Sequence, residues 1–212
     1  MSGGSPITPL VLILSGPSGS GKSTLVQRIL ELPGTMPSVS CTTRPRRATE
    51  SSGKCYDFLT EAEFAAMVQR GEFLEYARVF GRHSYGTPHK WLEKSRAAGK
   101  DLVLEIDVQG AAQVKQKLPE AVGIFILPPS REELENRLRS RGQDSQEEIG
   151  RRLAQARDEI QAFGRYYDYC VVNDDVERAG REVQAILVAL RCASARNRGR
   201  VQELLASFGG KD

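Results

Sequence analysis

The sequence predicts an α/β fold, a parallel sheet covered by helices, with a small β-rich subdomain inserted and a helical lid. Three observations predict it. Continuous aliphatic runs at Leu10–Ser15 (LVLILS), Asp101–Asp107 (DLVLEID) and Ala121–Leu127 (AVGIFIL), and a shorter one at Asp168–Val172 (DYCVV), read as strands buried on both faces. Segments of helical spacing separate them at crossover length, which makes the strands parallel neighbours. From Pro37 to Gly86 the pattern changes to short strand-like pieces around one amphipathic stretch, the mark of an inserted subdomain.

Taken in order, Met1–Pro9 (MSGGSPITP) reads as a flexible leader and Leu10–Ser15 as the first buried strand. A glycine-rich turn follows, and then Leu25, Val26, Ile29, Leu30 and Leu32 recur at helical spacing until Pro33-Gly34 stops the helix. Within the insert, Thr60–Arg70 is amphipathic, and Thr60-x-x-Glu63 has the form of a capping box. Helical pattern returns at His89–Ala98. Further on, helices are expected at Arg131–Arg141 and Glu147–Phe163, on either side of a polar hinge, Gly142-Gln143-Asp144-Ser145. A long last helix starts near Val176. The chain has no internal repeat and no low-complexity tract.

Composition narrows the classes. With 212 residues, 40% hydrophobic and 27% charged, the chain suits one generous domain or a core with small insertions. The early run Leu10–Leu14 is too short to span a bilayer and lacks the flanks of a signal peptide, so a cytoplasmic protein without membrane association is expected. Cys41, Cys55, Cys170 and Cys192 show no metal-ligand spacing and read as reduced packing thiols. The net charge of +3 is carried by the residues from Arg191 on, where Arg191, Arg196, Arg198, Arg200 and Lys211 face only Glu203 and Asp212. The remainder is balanced, so nucleic-acid binding is not expected. The basic tail reads as a solvated helix face. A homo-oligomer is left open.

Gly16-Pro17-Ser18-Gly19-Ser20-Gly21-Lys22-Ser23 satisfies G-x-x-x-x-G-K-[ST] in full, directly after a buried strand and before an amphipathic helix. Glycines let the backbone wrap a phosphate, so that successive N–H groups converge on it at the helix N-terminus. Lys22 would reach the β- and γ-phosphates, and the Ser23 hydroxyl would ligate Mg²⁺. This P-loop marks a nucleoside triphosphate site and leaves switch, motor and kinase open.

Ser40-Cys41-Thr42-Thr43-Arg44-Pro45-Arg46-Arg47 gathers three arginines beside hydroxyls, a loop able to aim guanidinium forks at one phosphate dianion. Alone it could equally be an exposed basic loop. Three further pieces accumulate: Gly53-Lys54-Cys55-Tyr56-Asp57-Phe58, Gly71-Glu72-Phe73-Leu74-Glu75 and Tyr85-Gly86-Thr87. With the P-loop, the strand ending in Asp107-Val108-Gln109-Gly110 and the basic segment after it, they resemble the guanylate kinase family in its short bacterial form. The resemblance covers about Leu10 to Leu190.

That resemblance implies a Mg²⁺-dependent transfer of a phosphoryl group from ATP to GMP in purine nucleotide metabolism, on a P-loop parallel sheet. It implies a kinase core at 10–36 and 88–190 with a lid at about 137–152. A GMP-binding insert would occupy 37–87, and a basic helix or tail 191–212. Gly16 to Ser23 together with Thr24, Arg137 and Asn173 would bind ATP. Ser40, Arg44, Arg47, Tyr56 and Tyr85 would hold the GMP phosphate. Glu75 would accept from guanine N1–H and the 2-amino group, with Ser40 and Thr87 near O6, Asp107 near the amino group, and Glu105 near metal or acceptor. The base chemistry agrees, since an ionised carboxylate is acceptor-only and guanine presents two adjacent donors. On its own, Glu75 would read as a solvated loop carboxylate.

Arg137 and Arg141 fall on one helix face without evident acidic partners, and Arg152 follows across the hinge. Such spacing usually marks a solvated face. The resemblance makes them clamps, with Lys22, Arg44, Arg141 and Arg152 spreading the charge of the transferring phosphoryl. His83 and His89 read as loop or helix-start residues. Three rival readings stand beside this one: a catalytically dead scaffold module, a GTPase switch using Asp107-Val108-Gln109-Gly110, and a kinase for a phosphorylated ribose. Against the switch, no N-K-x-D motif occurs.

Overall fold

The computed structural model describes residues 8–46, 56–79, 83–140 and 145–208. Strand β1 (Val11–Ser15), helix α1 (Lys22–Leu30) and strand β2 (Thr35–Pro37) come first. Strands β3 (Ser40–Thr42) and β4 (Tyr56–Phe58), helix α2 (Glu61–Gln69), and strands β5 (Phe73–Val79) and β6 (His83–Pro88) follow. The chain continues through α3 (Lys90–Ala98), β7 (Asp101–Glu105), α4 (Val108–Lys117) and β8 (Val122–Leu127). Helices α5 (Arg131–Ser140), α6 (Gln146–Gln161) and α7 (Phe163–Tyr166) precede β9 (Tyr169–Val172), α8 (Val176–Cys192) and α9 (Ser194–Phe208).

Five strands form a parallel sheet in the order β2-β7-β1-β8-β9. Its central strand explains the unbroken aliphatic run. Leu12 and Leu14 pack into a core with Leu25 and Ile29 of α1 and Val183 and Leu187 of α8, whereas Val11 and Ile13 join Leu92 of α3 and Ala111 and Val114 of α4. Alternate side chains thus enter two different cores, and each fully buried aliphatic contributes about 1.5–3 kcal/mol. Every residue of β1 is buried.

The second sheet is mixed, in the order β4-β3-β6-β5, with β3 and β4 parallel and the other pairs antiparallel. It has its own small core, in which Cys41 packs with Phe64 and Phe73, whose rings stack at 4.6 Å. Helix α2 begins with the expected capping box: Thr60 N–H donates to Glu63 Oε2 at 2.8 Å and Glu63 N–H to Thr60 Oγ1 at 3.2 Å. Helices α5 and α6 share a third cluster of Leu134, Leu138, Ile149 and Ala156.

Several expectations need correction. The parallel sheet has a fifth strand, β2, which pairs Thr35 with Asp101 and Pro37 with Val103; three residues after a Pro-Gly stop leave no periodicity to detect. The run Asp101–Asp107 ends its strand at Glu105, because Asp107 turns to cap α4. The last helical stretch is two helices, broken at Ala193, whose ψ of 132° is extended. His83 opens a strand rather than lying in a loop, whereas His89 stands at the N-cap of α3, the helix start expected of it. Arg191 is no solvated tail residue, since its Nε donates to Asp101 Oδ2 at 2.8 Å. Cys41 is buried, and Cys170 and Cys192 are exposed free thiols; Cys55 lies outside the described residues, as do the hinge residues 142–144. Among the described residues, no helix is long and apolar enough to cross a membrane.

Candidate active site

The glycine-rich loop leaves β1 and turns into α1. Gly21 takes a φ of 89°, and a Cβ there would lie 2.1 Å from Asn173 Nδ2, so conformation and packing both require glycine. Gly16 and Gly19 also have positive φ, and Pro17 accepts from Ser20 N–H across the turn. Helix α1 has no side-chain cap and no acidic residue in its first turn, whereas α2, α4, α6 and α8 each carry a capping side chain. Its N–H groups and positive dipole end are left to the loop, which is the requirement of a phosphate cradle.

Side chains close around that cradle. Lys22 Nζ folds back to donate to Gly16 O at 2.6 Å and Pro17 O at 3.0 Å. Ser23 Oγ donates to Glu105 Oε1 at 2.6 Å, and Thr24 is exposed one residue on. Arg152 donates to Ser18 Oγ at 3.1 Å, which brings α6 onto the loop. Asn173, 5% exposed at the end of β9, donates to Ser20 O at 2.8 Å. Its own carbonyl accepts from Arg137 at 3.0 Å. Arg137 also donates to Glu133 Oε1 at 2.8 Å, one turn back on α5, so the expectation of an arginine lacking an acidic partner is corrected. Arg141 and Arg47 lie outside the described residues.

The mixed sheet assembles a second group of polar residues. Its registers set Ser40 beside Tyr56, Thr42 opposite Tyr85 and Glu75 opposite Thr87. Thr87 Oγ1 donates to Glu75 Oε1 at 2.6 Å, and Ser40 Oγ lies 3.2 Å from Thr87 Oγ1. Thr87 has one hydroxyl proton and gives it to Glu75, so Ser40 is the donor to Thr87. Glu75 is 3% exposed, and burial pushes its carboxyl up to about 7, aided by the charge of Asp107 and opposed by the Thr87 hydrogen bonds. Asp107 caps α4 by accepting from Gly110 N–H at 2.8 Å through Oδ1. Its Oδ2 is buried without a hydrogen-bond partner among the described residues, and burial raises this carboxyl also. At the other end, the Arg44 guanidinium lies 5.6 Å from the ring centroids of both Tyr56 and Phe58, and Tyr56 meets Tyr85 edge-on at 5.7 Å.

The two groups feel each other. The charge of Lys22 acts on Asp107, and likewise on Glu159 of α6, whose carboxyl burial raises. A cavity of about 270 Å³ opens there, lined by Asp107, Val108, Gln109, Gln155, Asp158 and Glu159. Sequence reasoning passed over Gln155 and Glu159, because polar residues on an amphipathic helix carry no sign of burial.

A sequence model of the guanylate kinase family matches residues 8–190. The chain belongs to the guanylate kinase family. A guanylate kinase of Caldanaerobacter subterraneus is 47% identical over 89% of this chain and 91% of its own length. One of Neisseria gonorrhoeae is 49% identical over 92% and 95%. Among solved structures, a guanylate kinase from Anaplasma phagocytophilum superposes with a TM-score of 0.77 at 36% identity, covering 96% of this chain and 97% of that one. The guanylate kinase match spans the P-loop, the mixed sheet and most of α8, and ends before α9. Ser23 and Glu105 offer hard oxygen donors next to the phosphate cradle, which fits Mg²⁺. Among the described residues no group of three or more His, Cys, Asp or Glu could hold a metal ion.

Proposed function

We propose that this chain phosphorylates GMP with ATP in the cytoplasm, yielding ADP and GDP. Helix α1 and the loop before it, residues 16–24, would seat the ATP phosphates, with Arg137 and Asn173 bracing the loop. Ser23 and Glu105 would hold Mg²⁺, which when bound neutralises charge on the phosphates. The insert, 37–87, would take GMP, its phosphate meeting Arg44, Arg47, Tyr56 and Tyr85 and its base meeting Glu75, Asp107, Ser40 and Thr87. An oxygen of the GMP phosphate attacks the γ-phosphorus, and the bond to the β-γ bridging oxygen breaks with its electrons leaving on ADP. The acceptor is already an anion, so positioning and charge neutralisation suffice and no general base is required. Lys22, Arg44, Arg141 and Arg152 would spread the developing charge, the last two from the lid at about 137–152.

The observation that supports this reading best is the buried Glu75 carboxylate, held by Thr87 on one oxygen, beside the unpartnered Asp107 oxygen within electrostatic reach of Lys22. Two neighbouring acceptors suit two adjacent N–H donors, and adenine has no N1–H to offer. The test is ADP release measured with GMP, AMP, ribose 5-phosphate or no acceptor. GMP should be preferred over AMP by about 10⁴-fold, the discrimination typical of sites that read polar partners. Equal use of AMP, or ADP release independent of acceptor, would overturn the proposal.

A further inference from the structure

We infer that the face of α4 bearing Gly110, Gln113 and Lys117 is the positioning device that sets Glu75 against the base. The inference rests on the assignment of Glu75 to guanine. The three residues follow one another at intervals of three and four and so share a helix face. That face lies against β5, the edge strand of the mixed sheet, whose outward backbone groups have no strand to pair with among the described residues.

The side chains supply the missing partner. Gln113 donates from Nε2 to Tyr76 O at 2.7 Å and accepts from Tyr76 N–H through Oε1 at 3.2 Å, which imitates a strand neighbour immediately after Glu75. Lys117 Nζ donates to Leu74 O at 2.6 Å and Phe73 O at 3.2 Å, immediately before Glu75. Between those points the β5–β6 register shifts, Phe73 pairing with Pro88 and Glu75 with Thr87. Such a bulge re-aims the next side chain, and Lys117 pins its carbonyls. Glu75 is thereby clamped on both sides by one helix.

Gly110 completes the fit. A Cβ there would lie 2.5 Å from Glu75 Oε2 and 3.0 Å from Cδ. The backbone at Gly110 is helical, so no unusual conformation calls for glycine, and helix propensity alone would favour alanine. A Cβ there would push the end of the Glu75 side chain out of its place. Asp107 caps the same helix, so α4 places both base-reading carboxylates.

The experiment measures kcat and KM for GMP and AMP, KM for ATP and Tm in wild type, Glu75→Gln, Gly110→Ala, Gln113→Met and Lys117→Met. For Gly110→Ala and Gln113→Met we expect KM for GMP to rise by about ten-fold or more, since contacts that hold a buried acceptor are disturbed. KM for ATP should stay within about two-fold and the GMP-to-AMP preference should narrow. At Gly110 the gain in helix propensity opposes the cost of shifting the Glu75 carboxyl, so Gly110→Ala should move Tm by only a few degrees and carries the test even where Gln113→Met fails to fold. A merely structural role would lower Tm and scale GMP and AMP turnover together, leaving their ratio fixed, and that result overturns the inference. If Glu75→Gln destroys the preference while Gly110→Ala and Gln113→Met retain it, the positioning role falls and the base assignment stands. If Glu75→Gln itself leaves the preference unchanged, the base assignment fails and this inference with it.

Discussion

The Ser23 hydroxyl donates to Glu105 Oε1 at 2.6 Å, which joins the first turn of α1 to the end of β7. In a Mg²⁺ site both oxygens would face the cation or its water shell. Glu105→Gln is therefore expected to raise the Mg²⁺ concentration for half-maximal rate by about 10- to 100-fold, the usual cost of losing a supporting oxygen. KM for GMP should not change. Titrating activity with Mg²⁺ at fixed nucleotide separates the two, and an altered GMP KM with unaltered Mg²⁺ dependence would move Glu105 to the acceptor side.

Glu75 sets a pH dependence. Its carboxyl stands at about 7 because burial outweighs the Thr87 hydrogen bonds and the Lys117 charge, with Asp107 adding to the rise. Only the ionised form accepts from two donors, so KM for GMP should rise as pH falls below about 7, approaching ten-fold per unit. The GMP phosphate ionises near pH 6 as well, so the decisive quantity is the difference between wild type and Glu75→Gln, which should lose the carboxylate's share. In the free protein the sign reverses. The carboxyl is raised on folding, so its stabilising contribution is present below about 4.5 and lost as pH climbs through about 7. Stabilisation by added GMP should therefore grow across that window in thermal melts, and a GMP-induced Tm shift flat with pH would refute the assignment.

Arg44 offers a test of geometry rather than charge. Its guanidinium lies against two aromatic rings and donates to Pro45 O at 2.9 Å, so its plane is fixed before any phosphate arrives. Arg44→Ala should weaken GMP use by roughly 10- to 150-fold, the range of one charge-assisted contact, with KM for ATP unchanged. Arg44→Lys should recover little, because an ammonium neither stacks nor forks. Full recovery by lysine in steady-state kinetics would reduce Arg44 to a point charge.

Asp101 carries stability. It is 7% exposed, accepting from Leu10 N–H at 2.7 Å and from Arg191, and so ties β1, β7 and the end of α8. Asp101→Ala leaves a buried donor without a partner, a loss of about 1–3 kcal/mol. For a chain of this size that lowers Tm by roughly 2–12 °C. Truncation after residue 190, where the family match stops, should produce a similar fall by removing Arg191. An unchanged melt of the truncated chain would show that the bond contributes nothing.

Local devices were legible in the sequence. The cradle, the Thr60–Glu63 capping box and the two-sided burial of β1 depend on neighbours a few residues apart, and pattern alone exposes them. The Glu133–Arg137 pair is equally local, since the two residues stand one helical turn apart. Strand β2 was not legible, because its evidence is its pairing with β7, more than sixty residues away. Nor were Gln113 and Lys117, which bond to backbone atoms 37 to 44 positions distant. A side chain that grips main chain leaves no complementary residue for a sequence to display. Whether Glu75 was solvated or buried likewise depended on the helix laid over it.

The bonds around Asn173 bear on protein engineering. Ser20 of the loop, Asn173 at the sheet's far edge and Arg137 on α5 form one chain of contacts, and Arg152 of α6 returns to Ser18 of the same loop. Residues 131–161 are contiguous and have a cluster of their own, which invites their treatment as an interchangeable cassette. They are not one. A chimaera importing that segment from a homologue sets side chains selected for the donor's residue 173 against Asn173 of this chain, and a mismatch would reach the glycine-rich loop without any loop residue being altered. The graft has to be designed as two pieces, 131–161 and the end of β9, exchanged together.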